Sequence, residues 1–181
     1  MKKLLFILSF ILIAFTSCEN ELVSAPPSDN IGDTSGNLLG SWNLTSLNYS
    51  GTNVVTSDSG VENQDVQGIA SDYNYIMVFT ESPSNYIITG SFDLEFTVTV
   101  NGESITENFD DISGASSGTW TRDGSVFITT ESGSGEVVSS TIQILNDTTL
   151  KFTNVIIEED NSTPDETSVS TITSEYIFEK I

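Results

Sequence analysis

The chain has no histidine, one cysteine, four prolines and only 5 basic residues against 26 acidic ones in 181 positions. Each scarcity removes a class of function. Without imidazole there is no histidine to activate a nucleophile and none to ligate a metal. A single cysteine, Cys18, excludes an intrachain disulfide and a thiolate zinc site. A formal charge of −21 leaves almost nothing to neutralise phosphates, so nucleic acid is not an expected partner. The remaining catalytic option is a carboxylate pair. The acids of the clearest strand, Asp93 and Glu95, alternate with apolar residues and so fall on a solvated face. Lys151 and Lys180 belong to no Ser-x-x-Lys motif. Asp110-Asp111, and Glu158-Glu159-Asp160 with Asp165-Glu166, are rich in oxygen but follow no calcium-loop spacing. The sequence therefore reads as non-catalytic, with no cofactor and no metal site.

What is present starts with an address. Met1-Lys2-Lys3 supplies positive charge, Leu4 to Phe15 is apolar except for Ser9, and Thr16-Ser17-Cys18 closes the run with small residues. The apolar run is too short for a membrane-spanning helix, which needs about 20 residues, and matches a secretory signal. Phe15-Thr16-Ser17-Cys18 resembles the lipobox of bacterial lipoproteins, with Phe15 where Leu, Val or Ile is usual. The resemblance implies a signal peptide over 1–17 and lipidation of Cys18, which would hold the protein on a membrane without spanning it. Losing Lys2 and Lys3 with the signal takes the charge from −21 by two further units to −23. Residues 18–37, rich in Ser, Asn, Gly, Pro and acids, read as a flexible lipid-anchored linker. Glu19 and Glu21 fit either a solvated linker or the acidic stretch that accompanies export to the outer face in Bacteroidota-type lipoproteins.

From Leu38 to Ile181 the periodicity is that of strands. In Phe92 to Val100 the even positions are apolar and the odd ones polar. Further runs are 73–79, 86–88, 118–121, 125–130, 137–145, 149–157 and 168–181. Asn101-Gly102 and Asp123-Gly124 are signals for two-residue type I′ hairpins. The segments Ser50 to Asp72 and Glu158 to Glu166 read as long polar connections. Short strands joined by tight turns predict an all-β, up-and-down antiparallel meander of about eight strands. Closing it into a barrel removes the exposed edges, and a two-sheet sandwich is the competing arrangement.

Leu38-Leu39-Gly40-Ser41-Trp42-Asn43-Leu44 places a Gly-x-Trp at the start of the first strand. With the lipobox, the linker and the closing Tyr176 to Ile181 strand, this resembles the lipocalin-like domains of Bacteroidota lipoproteins, over residues 38–181. The resemblance implies a barrel floor built on Gly40 and Trp42, and a location in the cell envelope, at the outer membrane of a Gram-negative bacterium. In lipocalins an Arg near the last strand covers that Trp. Here the only Arg is Arg122 in the Asp-Gly hairpin, and Lys180 is the residue whose stem could cover the ring.

Aromatic residues recur on many of the expected strands. Tyr75, Phe79, Phe96 and Trp120 are the candidate lining of a cup for a small apolar or amphipathic ligand. The same aromatics could instead fill the interior as core. The other expected occupation is a surface module that contacts a glycan or a protein partner in an outer-membrane complex.

Overall fold

A computed structural model describes residues 31–162 and 166–181; the signal segment 1–17, Cys18, Glu19 and Glu21 lie outside the described residues. All regular structure among the described residues is β. The strands are β1 (Gly40–Ser57), β2 (Gly60–Phe79), β3 (Asn85–Val100), β4 (Glu103–Ser113), β5 (Ser116–Asp123), β6 (Val126–Glu131), β7 (Val137–Leu145), β8 (Thr149–Asp160) and β9 (Glu166–Lys180). They form one antiparallel nine-stranded sheet in the order β2-β1-β9-β8-β7-β6-β5-β3-β4, and pairing of β2 with β3 closes it into a ring. Each strand pairs with its successor except across β4–β5. Those two run one after the other along the same edge of β3, β4 against Ser91–Val100 and β5 against Asn85–Ile88. Nine strands form where about eight were expected, and β4 falls at Glu103–Ser113, where no strand run was read; Gly114-Ala115 separates it from β5.

Three local expectations are corrected. Ser50 to Asp72 is not a connection: Asn48↔Ile69 to Ser57↔Gly60 is a continuous ladder, although its apolar residues, such as Val54-Val55, Val61, Val66 and Ile69, are scattered among polar ones. The acid-rich segment likewise begins as strand, since Glu158, Glu159 and Asp160 belong to β8 and pair with β9 up to Asp160↔Ser168. Both hairpins carry polar residues on both faces, and that erases the period-two signal. The second two-residue turn is centred on Gly124-Ser125, because Asp123 pairs with Val126. Only Gly124 has positive φ (60°), the type II′ requirement, whereas Asn101 (52°) and Gly102 (82°) both have it, as type I′ demands.

One end of the ring is sealed. Trp42 is fully buried beside Leu38, and its indole N–H donates to the Leu38 carbonyl (2.7 Å). Lys180, the register partner of Trp42, lies over the ring with Nζ 4.9 Å from the centroid. Gly40 (φ 114°) makes this possible: a Cβ there would sit 3.3 Å from Lys180 Cε. The expected flexible linker is bound at its described end. Gly32 and Gly36 N–H donate to Gln143 and Leu145 carbonyls, and Leu145 N–H donates to Asp33. Arg122 completes the strap by donating to the carbonyls of Gly36 (3.0 Å) and Thr34.

Candidate functional site

Above the sealed end, rings fill the interior. Phe127 meets Phe152 edge-on (5.0 Å between centroids), and Phe152 stacks on Tyr176 (4.8 Å) and Phe178 (5.7 Å). Tyr75 bridges Phe178 and Phe92, and Phe79 bridges Phe127 and Trp120. Such offset and edge-to-face pairs add about 0.5–1.5 kcal/mol each beyond burial.

On β8 the packed interior stops part-way along the strand, whereas Val66, Asn53 and Ser170 stay buried at that level and above. On the inward face of β8, Leu150, Phe152 and Asn154 are buried, but the next residue on that face, Ile156, is 38% exposed. An inward residue reached by solvent marks the level at which the interior opens. The ladders explain why. Pairing of β7 with β8 begins at Ser140↔Asn154, and pairing of β3 with β5 ends at Ile88↔Ser116. By contrast, β3–β4 continues to Val100↔Glu103 and β1–β2 to Ser57↔Gly60. Strands β5, β6 and β7 therefore close only the lower half. The upper half is a curved wall of six strands, β8-β9-β1-β2-β3-β4, with unpaired edges on β4 and on β8 beyond Asn154. The result is a cup with a cleft in its side.

The cup's floor is polar and aromatic. Tyr49, from β1, lies over Gly68, where a Cβ would come 2.9 Å from its ring. Tyr49 and Tyr176 share a hydroxyl–hydroxyl interaction. Burial pushes the phenols of Tyr49 and Tyr75 well above the ordinary tyrosine value, and neighbouring phenols add to this; burial also raises Tyr176, against the opposing pull of the Tyr49 and Ser174 hydroxyls. Asn154 and Ser174 oppose each other across β8–β9. Asn154 Oδ1 is buried without a hydrogen-bond partner, and Ser174 Oγ makes no well-formed bond, its polar neighbour being the Tyr176 hydroxyl. Orphaned buried acceptors are rare and costly, so each asks for an explanation.

The cleft's base is acidic. Glu131 and Glu136 flank the β6–β7 turn, joined by a backbone bond from Glu131 N–H to the Glu136 carbonyl (2.8 Å). Glu158 follows Asn154 by four residues on the same face of β8, and Glu136, just ahead of β7, precedes Ser140 by four. With Ser140 facing Asn154, the two carboxylates reach the same level. Desolvation raises the pKa of Glu158 and Glu136, and each is raised further by an acid beside it, Glu136 for Glu158 and Glu131 for Glu136.

Of the four candidate lining residues, Tyr75 and Phe96 lie beside the cup's floor, where the Tyr75 phenol neighbours those of Tyr49 and Tyr176, and Phe79 and Trp120 lie below it. Phe79 and Trp120 touch each other near the sealed end, where the Trp120 indole donates to the Thr80 carbonyl (2.9 Å). Tyr75 sits among the packed rings, over Gly114, and Phe96 belongs to the β3 wall opposite Gly68. Sequence reasoning missed Tyr49, Asn154, Ser174, Glu131 and Glu136, and weighed Glu158 only as part of an oxygen-rich calcium candidate. Their shared face follows from register and ladder length, and no local pattern encodes either. Comparison with protein-family models, with curated proteins and with solved structures finds no match for this chain.

Proposed function

We propose that this is an envelope-anchored lipoprotein, lipidated at Cys18, whose lipocalin-like barrel binds a small apolar or amphipathic ligand without catalysis. The observation that carries the reading is the inward-facing, 38% exposed Ile156 directly above the buried, unpartnered Asn154. An apolar wall over an unsatisfied acceptor is the composition of a binding pocket, in which few polar groups orient a mainly apolar guest. The tether supports it too, since a lipid anchor would keep such a cup where apolar solutes are found.

A second reading, docking of a protein partner or glycan, is favoured by the free edge of β4, whose backbone could pair with an added strand. Glu103, Glu107, Asp110 and Asp111 along that strand work against it, as charged residues on edges do. The ligand-binding reading therefore stands first.

Native mass spectrometry of the detergent-extracted protein tests both parts. Acyl mass on an N-terminal Cys18 together with a releasable small molecule is the expected result. An uncut N-terminus would overturn the anchor, and a protein that carries no ligand and takes up none would turn the function toward partner docking.

A further inference from the structure

Resting on the ligand-binding reading, we propose that the cup's guest is a linear aliphatic amine with a second N–H or O–H donor at its far end. Its protonated amine would lie at Glu136 and Glu158, and its second donor at Asn154 Oδ1.

Two independent features of one cavity define the two poles. The lower pole is Asn154, 7% exposed, whose carbonyl oxygen faces the interior with nothing to accept from. The upper pole is the acidic row, level across β6, β7 and β8 at the base of the side cleft. No basic residue described in the structure answers it. Arg122 is spent on the strap at the sealed end, Lys151 pairs with Glu175 (2.8 Å), and Lys180 covers Trp42. The row therefore holds like charges in partial burial without a counter-ion, and the raised acid pKa values are the consequence. Among the described residues no three acids converge as metal ligands. A metal ion would need such a set, whereas an ammonium group needs only one or two carboxylates.

Between the poles the wall is apolar, with Ile156 and its register partner Ile172. Four residues of strand separate Asn154 from Glu158, about 13 Å at roughly 3.3 Å per residue. That is the reach of a chain of about ten methylenes. The upper pole is anionic, so a carboxylate-headed guest such as a fatty acid would be disfavoured there.

Calorimetric titration at pH 7 with 1,10-diaminodecane, decylamine and decanoate tests the assignment. The diamine is expected to bind at least tenfold more tightly than decylamine, and decylamine at least tenfold more tightly than decanoate. Asn154→Leu should bring the diamine down to decylamine's affinity while leaving decylamine unchanged, which also reports that the variant is folded. The double variant Glu136→Gln/Glu158→Gln should erase the gap between decylamine and decanoate. Equal binding of all three probes would overturn the amine assignment and leave the ligand-binding reading in place. Equal binding of diamine and decylamine would overturn the lower pole. Binding of none would overturn the ligand-binding reading itself.

Discussion

Tyr73 shows how a single polar atom can hold a break in a sheet together. The β1–β2 ladder is interrupted between Asn43↔Ile76 and Asn48↔Ile69. In that gap the Tyr73 hydroxyl accepts from Leu47 N–H (3.2 Å) and donates to the Ala70 carbonyl. It replaces the ladder bonds that the bulged backbone cannot make. Tyr73→Phe keeps the ring and strands both backbone groups, so a loss of about 1–3 kcal/mol is expected in urea unfolding. A variant as stable as the parent would show that water serves the gap equally well. Gly40 makes a comparable demand. Its φ of 114° is costly for any side chain, and a Cβ would also press on Lys180, so Gly40→Ala should cost about 1–3 kcal/mol in the same measurement. The glycine was legible in the sequence as the start of the first strand. The bridging role of Tyr73 was not, because nothing local marks where the two strands fall out of step.

At the scale of elements, the strap over residues 32–36 is the least obvious part of the fold. Its composition is that of a linker, and only backbone bonds to β7 and the Arg122 guanidinium hold it. Arg122 was visible as the sole arginine, but a hairpin position gave no hint that its fork would reach carbonyls some 86 residues earlier in the chain. Arg122→Ala should free the strap while leaving the ring folded. Hydrogen exchange should then accelerate at Gly32 and Gly36, with the amides of β8 and β9 unchanged. Lys at this position should rescue only in part, since an ammonium cannot reproduce a planar two-pronged donor. Protection at Gly32 and Gly36 that survives Arg122→Ala would mean that the backbone bonds suffice. The period-two strands, such as Phe92 to Val100, were readable because one face meets the core and the other meets water. The upper β1–β2 and β8–β9 hairpins were not, because their inward positions include buried polar residues such as Asn53, Ser168 and Ser170, which break the alternation.

For the molecule as a whole, the buried phenols set the alkaline limit. Tyr49, Tyr75 and Tyr176 have folded pKa values raised above the ordinary 10. Below pH 10 they are neutral whether the chain is folded or not, and they contribute nothing to pH dependence. Above it the unfolded chain releases protons that the folded one keeps, so stability falls as pH rises. The slope approaches about 1.4 kcal/mol per pH unit for each phenol. Urea midpoints measured at pH 9, 10 and 11 should drop beyond 10, and less steeply in Tyr75→Phe; a flat series would show that the phenols ionise freely in the fold. By itself the sequence determined the all-β class, most strand positions, the acidity and the export signature, because these rest on local composition and on alternation between core and solvent. Closure of the meander on itself was also expected from the sequence, whereas tertiary structure alone decided that the strap crosses its sealed end and that β5, β6 and β7 stop short of their neighbours. It also decided that Asn154 and the acids Glu131, Glu136 and Glu158 share one cup. Ladder length and register bring residues far apart in sequence to one place, and no run of adjacent residues records either.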